Sequence, residues 1–126
     1  MSMRTPLGKV RGLGSAKEGT EHWWMQRLTA IALVPLTIWF VVSLVALIDA
    51  GHATMVAWIQ NPFSAALLIL FLGTGFYHLK LGVQVVIEDY VHAAGLKTAS
   101  LIALTFACWL VALVSIISVL KIAFGG

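Results

Sequence analysis

The sequence predicts an all-α integral membrane protein with three transmembrane helices, its N-terminus cytoplasmic and its C-terminus periplasmic. Composition is the first reason. Of 126 residues, 60% are hydrophobic and 10% charged, with a mean hydropathy of +0.97, and a soluble domain this small exposes more polar surface than such a chain supplies. The second reason is three apolar runs, roughly Trp23–Leu47, Phe63–Tyr90 and Ala99–Ala123. Each has at least the ~20 residues that cross a bilayer core as a helix. The third is charge asymmetry. Arg4, Lys9, Arg11 and Lys17 precede the first run and Lys97 precedes the third, while the external loop expected from Gly51 to Pro62 has no Lys or Arg. Basic flanks stay inside, which orients every span.

Residues 1–19 contain Gly8, Gly12, Gly14 and Gly19, one proline and half of the eight basic residues, with no helical periodicity. They are expected to form a flexible cytoplasmic arm suited to ordering against a partner or anionic headgroups. Residues 20–126 form the three-helix membrane domain, with spans at about 23–49, 63–91 and 98–123. Thr20 is placed to cap the first helix, with Glu21 in its first turn where the helix dipole favours negative charge. Gly51 is placed to stop that helix, and Pro35 to kink it. Asn61-Pro62 reads as a cap followed by the residue best suited to a first helical position. The second helix is longer than the hydrocarbon is thick, so its last turns protrude on the cytoplasmic side. Gly95 breaks the chain before the third helix, which carries almost nothing polar until Lys121 and reads as scaffold.

The single cysteine, Cys108, excludes an internal disulfide framework and a chain-internal cysteine-ligated iron–sulfur site. No flavin or nucleotide fingerprint is present, and nothing points to nucleic acid. The chemistry lies in the second span, Gly75-Phe-Tyr-His78-Leu-Lys-Leu-Gly82-Val-Gln-Val-Val-Ile-Glu-Asp89-Tyr90. Residues seven or eleven apart share a helix face, which aligns Gly75, His78, Gly82 and Asp89. An ionisable group at membrane depth marks a functional position by default. Glycines on both sides of His78 leave a shallow patch for a large planar ligand, and haem fits it. The neutral imidazole would be an axial ligand. Two such ligands make an electron-transfer haem, and since His22, His52 and His92 lie near membrane boundaries, a partner subunit must supply the second. A hydrogen bond from His78 to a neighbouring helix is the structural alternative.

Asp89-Tyr90 lies about 16 Å along the helix axis from His78. An interfacial tyrosine beside a solvated carboxylate is one reading. A quinone headgroup site is the other, with the hydroxyl as donor and the carboxylate as proton relay. Lys80, Gln84 and Glu88 form a separate stripe at four-residue spacing, expected on the side away from His78. In the first span, Trp23 and Trp24 suit an interfacial belt. Arg27 needs an anion, which a haem propionate or a lipid phosphate would supply.

With three spans, Arg27-x-Thr29-Ala30 in the first, and His78-x-x-x-Gly82 followed by Asp89-Tyr90 in the second, the chain resembles the hydrophobic D-type membrane anchor of succinate dehydrogenase, respiratory complex II. The resemblance covers about residues 20–123, and the paired tryptophans and glycine-containing arm resemble the alphaproteobacterial form. It implies that His78 is an axial ligand of haem b, with the other ligand on the C-type anchor subunit. Gly75 and Gly82 would pack the haem, Tyr90 would hydrogen-bond ubiquinone, Asp89 would support its protonation, and Arg27 would lie near the propionates and the quinone pocket. A flavoprotein subunit and an iron–sulfur subunit would oxidise succinate on the cytoplasmic side, so the isolated chain is not expected to be catalytic. The implied setting is the bacterial inner membrane, favoured over the mitochondrial one because no Arg- and Ser-rich leader precedes the first span. A fumarate-reducing anchor using menaquinone, and a structural or transport subunit without redox chemistry, are the alternatives.

Overall fold

The computed structural model describes residues 13–125, with side chains described from residue 19 onward. It consists of α1 (Leu13–Ala46), α2 (His52–Gln60), α3 (Pro62–Tyr90) and α4 (Ala94–Ala123). Of these, α3, α4 and the Gly19–Ala46 part of α1 are long and apolar enough to cross a membrane. All-helical architecture follows from the solvent: lipid offers backbone N–H and C=O groups no partners, so each span must satisfy its own. Hydroxyls inside the spans obey the same rule. Thr105 donates to the Leu101 carbonyl at 2.8 Å and Ser118 to the Val114 carbonyl at 2.7 Å, each one turn back.

The cap expected at Asn61 is formed. Its side-chain oxygen accepts from the Phe63 amide at 2.9 Å, and Pro62 opens α3. Other boundaries move. The expected arm lies mostly outside the described residues, and where description begins, at Leu13, the chain is already helical. Thr20 is therefore inside α1 rather than at its cap, since Ala16, Lys17 and Glu18 are good helix formers that carry the helix beyond its apolar run. Pro35 sits within α1 without ending it. The helix stops at Ala46 and closes with a turn over residues 47–49, where the Leu47 amide reaches the Ser43 carbonyl at 3.0 Å. The segment between the first two spans is not the expected loop: most of it is α2, which begins after Gly51. Gly95 does not break the chain: it lies in the first turn of α4, where N–H groups lack intrahelical partners in any case.

The middle span, α3, packs against α1 on one side and α4 on the other. Pairing between α1 and α3 is antiparallel: Phe40 stacks on Phe71 with ring centroids 4.7 Å apart, Leu33 meets Gly75, and Thr29 meets His78. The short α2 ties the ends of the spans together. Trp58 stacks on Trp39 of α1 at 5.6 Å, and the Gln60 amide nitrogen donates to the Ile122 carbonyl of α4 at 3.4 Å. Among the described residues the buried set is small, comprising Thr29, Ser64, Ala65, Leu68 and Leu81. Ile31, Val42, Phe106 and Leu110 are all more than 60% exposed. Apolar surface on this scale needs lipid or other subunits to cover it.

Candidate site at the seam between the first and second spans

Polar side chains of two spans meet where α1 packs against α3. Thr29 is 7% exposed, and its hydroxyl lies 2.7 Å from the Met25 carbonyl, 3.1 Å from the Gln26 carbonyl and 2.9 Å from His78 Nδ1. Nε2 of His78 has no hydrogen-bond partner among the described residues. The two glycines flanking the histidine differ. A Cβ at Gly75 would stand 3.9 Å from Leu33 Cδ2, so α1 lies across it, whereas a Cβ at Gly82 would meet nothing within 4 Å.

Beyond Thr29 and His78, towards the N-terminal end of α1, the two helices leave a cavity of about 690 Å³ lined by His22, Arg27, Gly82, Gln84 and Glu88, among others. A second cavity of about 550 Å³ shares His22 and Gln84 and adds Met25, Tyr77 and Lys80. The stripe Lys80, Gln84 and Glu88 is therefore not turned wholly away from the histidine's partner helix: Gln84 and Glu88 border the same space as Arg27. Sequence spacing placed it by the angle around α3 alone, and the width of the cleft decides what that angle reaches. Within the seam, His22 Nε2 and Gln26 Oε1 are buried and unpartnered among the described residues. An unsatisfied buried polar atom costs about 1–3 kcal/mol, so both atoms call for hydrogen-bonding groups beyond the described residues.

Arg27 is exposed, with its guanidinium 5.5 Å from the Trp23 ring centroid. No carboxylate of the described residues pairs with it, which leaves its planar fork available to an external anion. Asp89 and Tyr90 end α3 fully in the open, Tyr90 at 77% exposure, and the cavity that contains Arg27 does not include them. The structure thus gathers Arg27, Gly82 and His78 along one seam and holds Asp89 and Tyr90 apart from it. Among the described residues no cluster of three or more His, Cys, Asp or Glu side chains could hold a metal ion. In α3 the seam offers one imidazole, that of His78, with Nδ1 held by Thr29.

Sequence reasoning did not foresee that Thr29 meets His78 or that His22 Nε2 and Gln26 Oε1 are buried in the same seam. His22, Gln26 and Thr29 recur along α1 at intervals of three and four residues, ending at Leu33, the same helical spacing that aligned Gly75, His78 and Gly82 on α3.

Fold and site together define a multi-pass membrane subunit that presents a single histidine at depth and leaves most of its apolar surface for other components. Residues 1–112 match the family described as the succinate dehydrogenase/fumarate reductase transmembrane subunit, and the chain belongs to that family. It is 35% identical over 100 residues to the succinate dehydrogenase hydrophobic membrane anchor subunit of Rickettsia bellii, covering 79% of this chain and 80% of that one. Identity to the subunit of the same name from Paracoccus denitrificans is 31% over 121 residues, 96% of this chain and 93% of the relative. The succinate dehydrogenase membrane anchor subunit of Reclinomonas americana is 28% identical over 88 residues, 68% of this chain and 73% of that one. No solved structure matches the chain.

Proposed function

We propose that the chain anchors a succinate:ubiquinone oxidoreductase in the bacterial inner membrane, supplies one axial ligand to a haem b shared with a C-type anchor subunit, and contributes part of the ubiquinone site. The observation that carries this reading is His78: one ring nitrogen is held by Thr29 at the helix seam, and the other has no partner within the described chain. A lone imidazole fits haem, whose iron is held mainly by the macrocycle and takes axial ligands one at a time, and a second axial ligand would come from the C-type anchor subunit. Gly82 leaves room beside the histidine. Arg27, without a carboxylate of its own among the described residues, is the group to bind a propionate.

When bound, the haem would supply a one-electron centre to the complex. The chain's own residues do the rest. Reducing a quinone takes two electrons and two protons. The Tyr90 hydroxyl donates a hydrogen bond to one carbonyl, and the Asp89 carboxylate passes protons from water to it. Their exposure at the end of α3 leaves both free to meet an iron–sulfur subunit, which receives electrons from a flavoprotein subunit and delivers them here. Positive-inside orientation supports the same arrangement, because the N-terminal end of α1 and the C-terminal end of α3 then face the cytoplasm.

The visible spectrum of the purified complex tests the reading. A Soret band with reducible b-type bands is expected, together with ubiquinone in the lipid extract. A complex without b-type bands overturns the haem assignment, and extraction of menaquinone alone moves the chain to the fumarate-reducing branch of the family.

A further inference from the structure

Thr29 is 93% buried by its 7% exposure, and its hydroxyl has three neighbours but a single hydrogen to share among them. Two of those neighbours, the Met25 and Gln26 carbonyls at 2.7 and 3.1 Å, can only accept. Two oxygens 2.7 Å apart require a hydrogen between them. The Thr29 hydrogen is thereby committed to its own helix, and the contact to His78 Nδ1 at 2.9 Å must be closed by a proton on the histidine. An imidazole protonated at Nδ1 is neutral only with a bare Nε2, the form that ligates a metal.

We propose that Thr29 is the positioning residue for His78: it accepts the Nδ1 proton, fixes the rotation of the ring and keeps the Nε2 lone pair directed away from α1. The inference rests on the haem reading of His78. It adds a second consequence, since an acceptor on the far nitrogen makes the imidazole a stronger electron donor. Such a ligand favours ferric iron, so Thr29 holds the haem potential down.

The test is a substitution series at Thr29 in the intact complex, read by redox titration of the b-type bands and by the electron paramagnetic resonance of the oxidised haem. Assembly is monitored independently by flavin content and by succinate oxidation with an artificial acceptor. Thr29→Ser keeps the acceptor and should match the parent. Thr29→Cys, a weaker acceptor, and then Thr29→Ala and Thr29→Val, which have none, should raise the midpoint potential progressively, shift the g-values and lower haem occupancy. Loss of haem from the valine and alanine forms with full retention in the serine form also supports the assignment. A potential and g-values that stay at the parental values across the members that assemble, or a serine form that behaves as valine does, overturns it. His78→Ala in parallel separates the two layers. If that variant retains the parental spectrum, the haem reading itself fails; if it loses the spectrum while the Thr29 series stays flat, only the positioning role falls.

Discussion

Leu33 of α1 reaches α3 at Gly75, its Cδ2 standing 3.9 Å from where a Cβ on that glycine would lie, while about two turns further along the same face, at Gly82, nothing stands within 4 Å. Glycines in membrane helices serve both close helix packing and close approach of ligands. Here the two glycines divide those uses. Gly75→Leu is expected to force α1 and α3 apart and reduce assembly, whereas at Gly82 a Cβ meets nothing within 4 Å, and Gly82→Leu is expected to lower haem content in a complex that still assembles. Haem-to-flavin ratios of the two purified variants check this. Equal haem content in parent and Gly82→Leu would remove Gly82 from the haem site.

His78→Ala removes the only histidine at depth in α3. The expected outcome is loss or gross alteration of the b-type spectrum, since the mutant offers iron no nitrogen at that position. Spectra of the assembled variant, normalised to flavin, measure it.

Orientation is accessible to reporters. A fusion after Gly126 to an enzyme active only outside the cytoplasm should be active, and the same enzyme fused within the first 19 residues should be silent, following the basic flank ahead of the first span. The reversed pattern would put Asp89 and Tyr90 on the side away from the iron–sulfur subunit and defeat the proposed electron route.

Tyr90→Phe keeps the ring and deletes the donor. Loss of one hydrogen bond to a desolvated quinone carbonyl costs about 1–3 kcal/mol, roughly a 5- to 150-fold fall in quinone reduction. Succinate oxidation with an artificial upstream acceptor should be spared. Asp89→Asn should slow the same step and change its pH dependence if the carboxylate relays protons. Parental quinone reductase rates in both variants, with haem present, would reduce these residues to an exposed helix end.

Asn61 caps α3 through its bond to the Phe63 amide. Asn61→Ala is expected to cost about 0.5–2 kcal/mol, seen as earlier thermal inactivation in detergent with an unchanged haem spectrum. An altered spectrum would mean that the cap, at the opposite end of α3 from Tyr90, controls more than helix entry.

Sequence alone determined what depends on local chemistry. Hydropathy marked the three spans, Asn61-Pro62 marked the start of α3, and helical periodicity set Gly75, His78 and Gly82 on one face, because lipid solvation, capping and the 3.6-residue turn act within a few residues of their cause. Boundaries were less legible: α1 reaches back to Leu13 because Ala16, Lys17 and Glu18 carry the helix beyond its apolar run, and α2, with 9 residues, is too short to register as a span. Only the tertiary structure decided what each face meets. His78 finds Thr29, Gly75 finds Leu33, and Gly82 finds open space, while Gln84 and Glu88 join Arg27 around one cavity. Those pairings depend on the register between two antiparallel helices that are far apart in the chain, and that register is set by packing along the whole seam from Phe40 and Phe71 to Thr29 and His78, a sum of many small contacts that no single stretch of sequence carries.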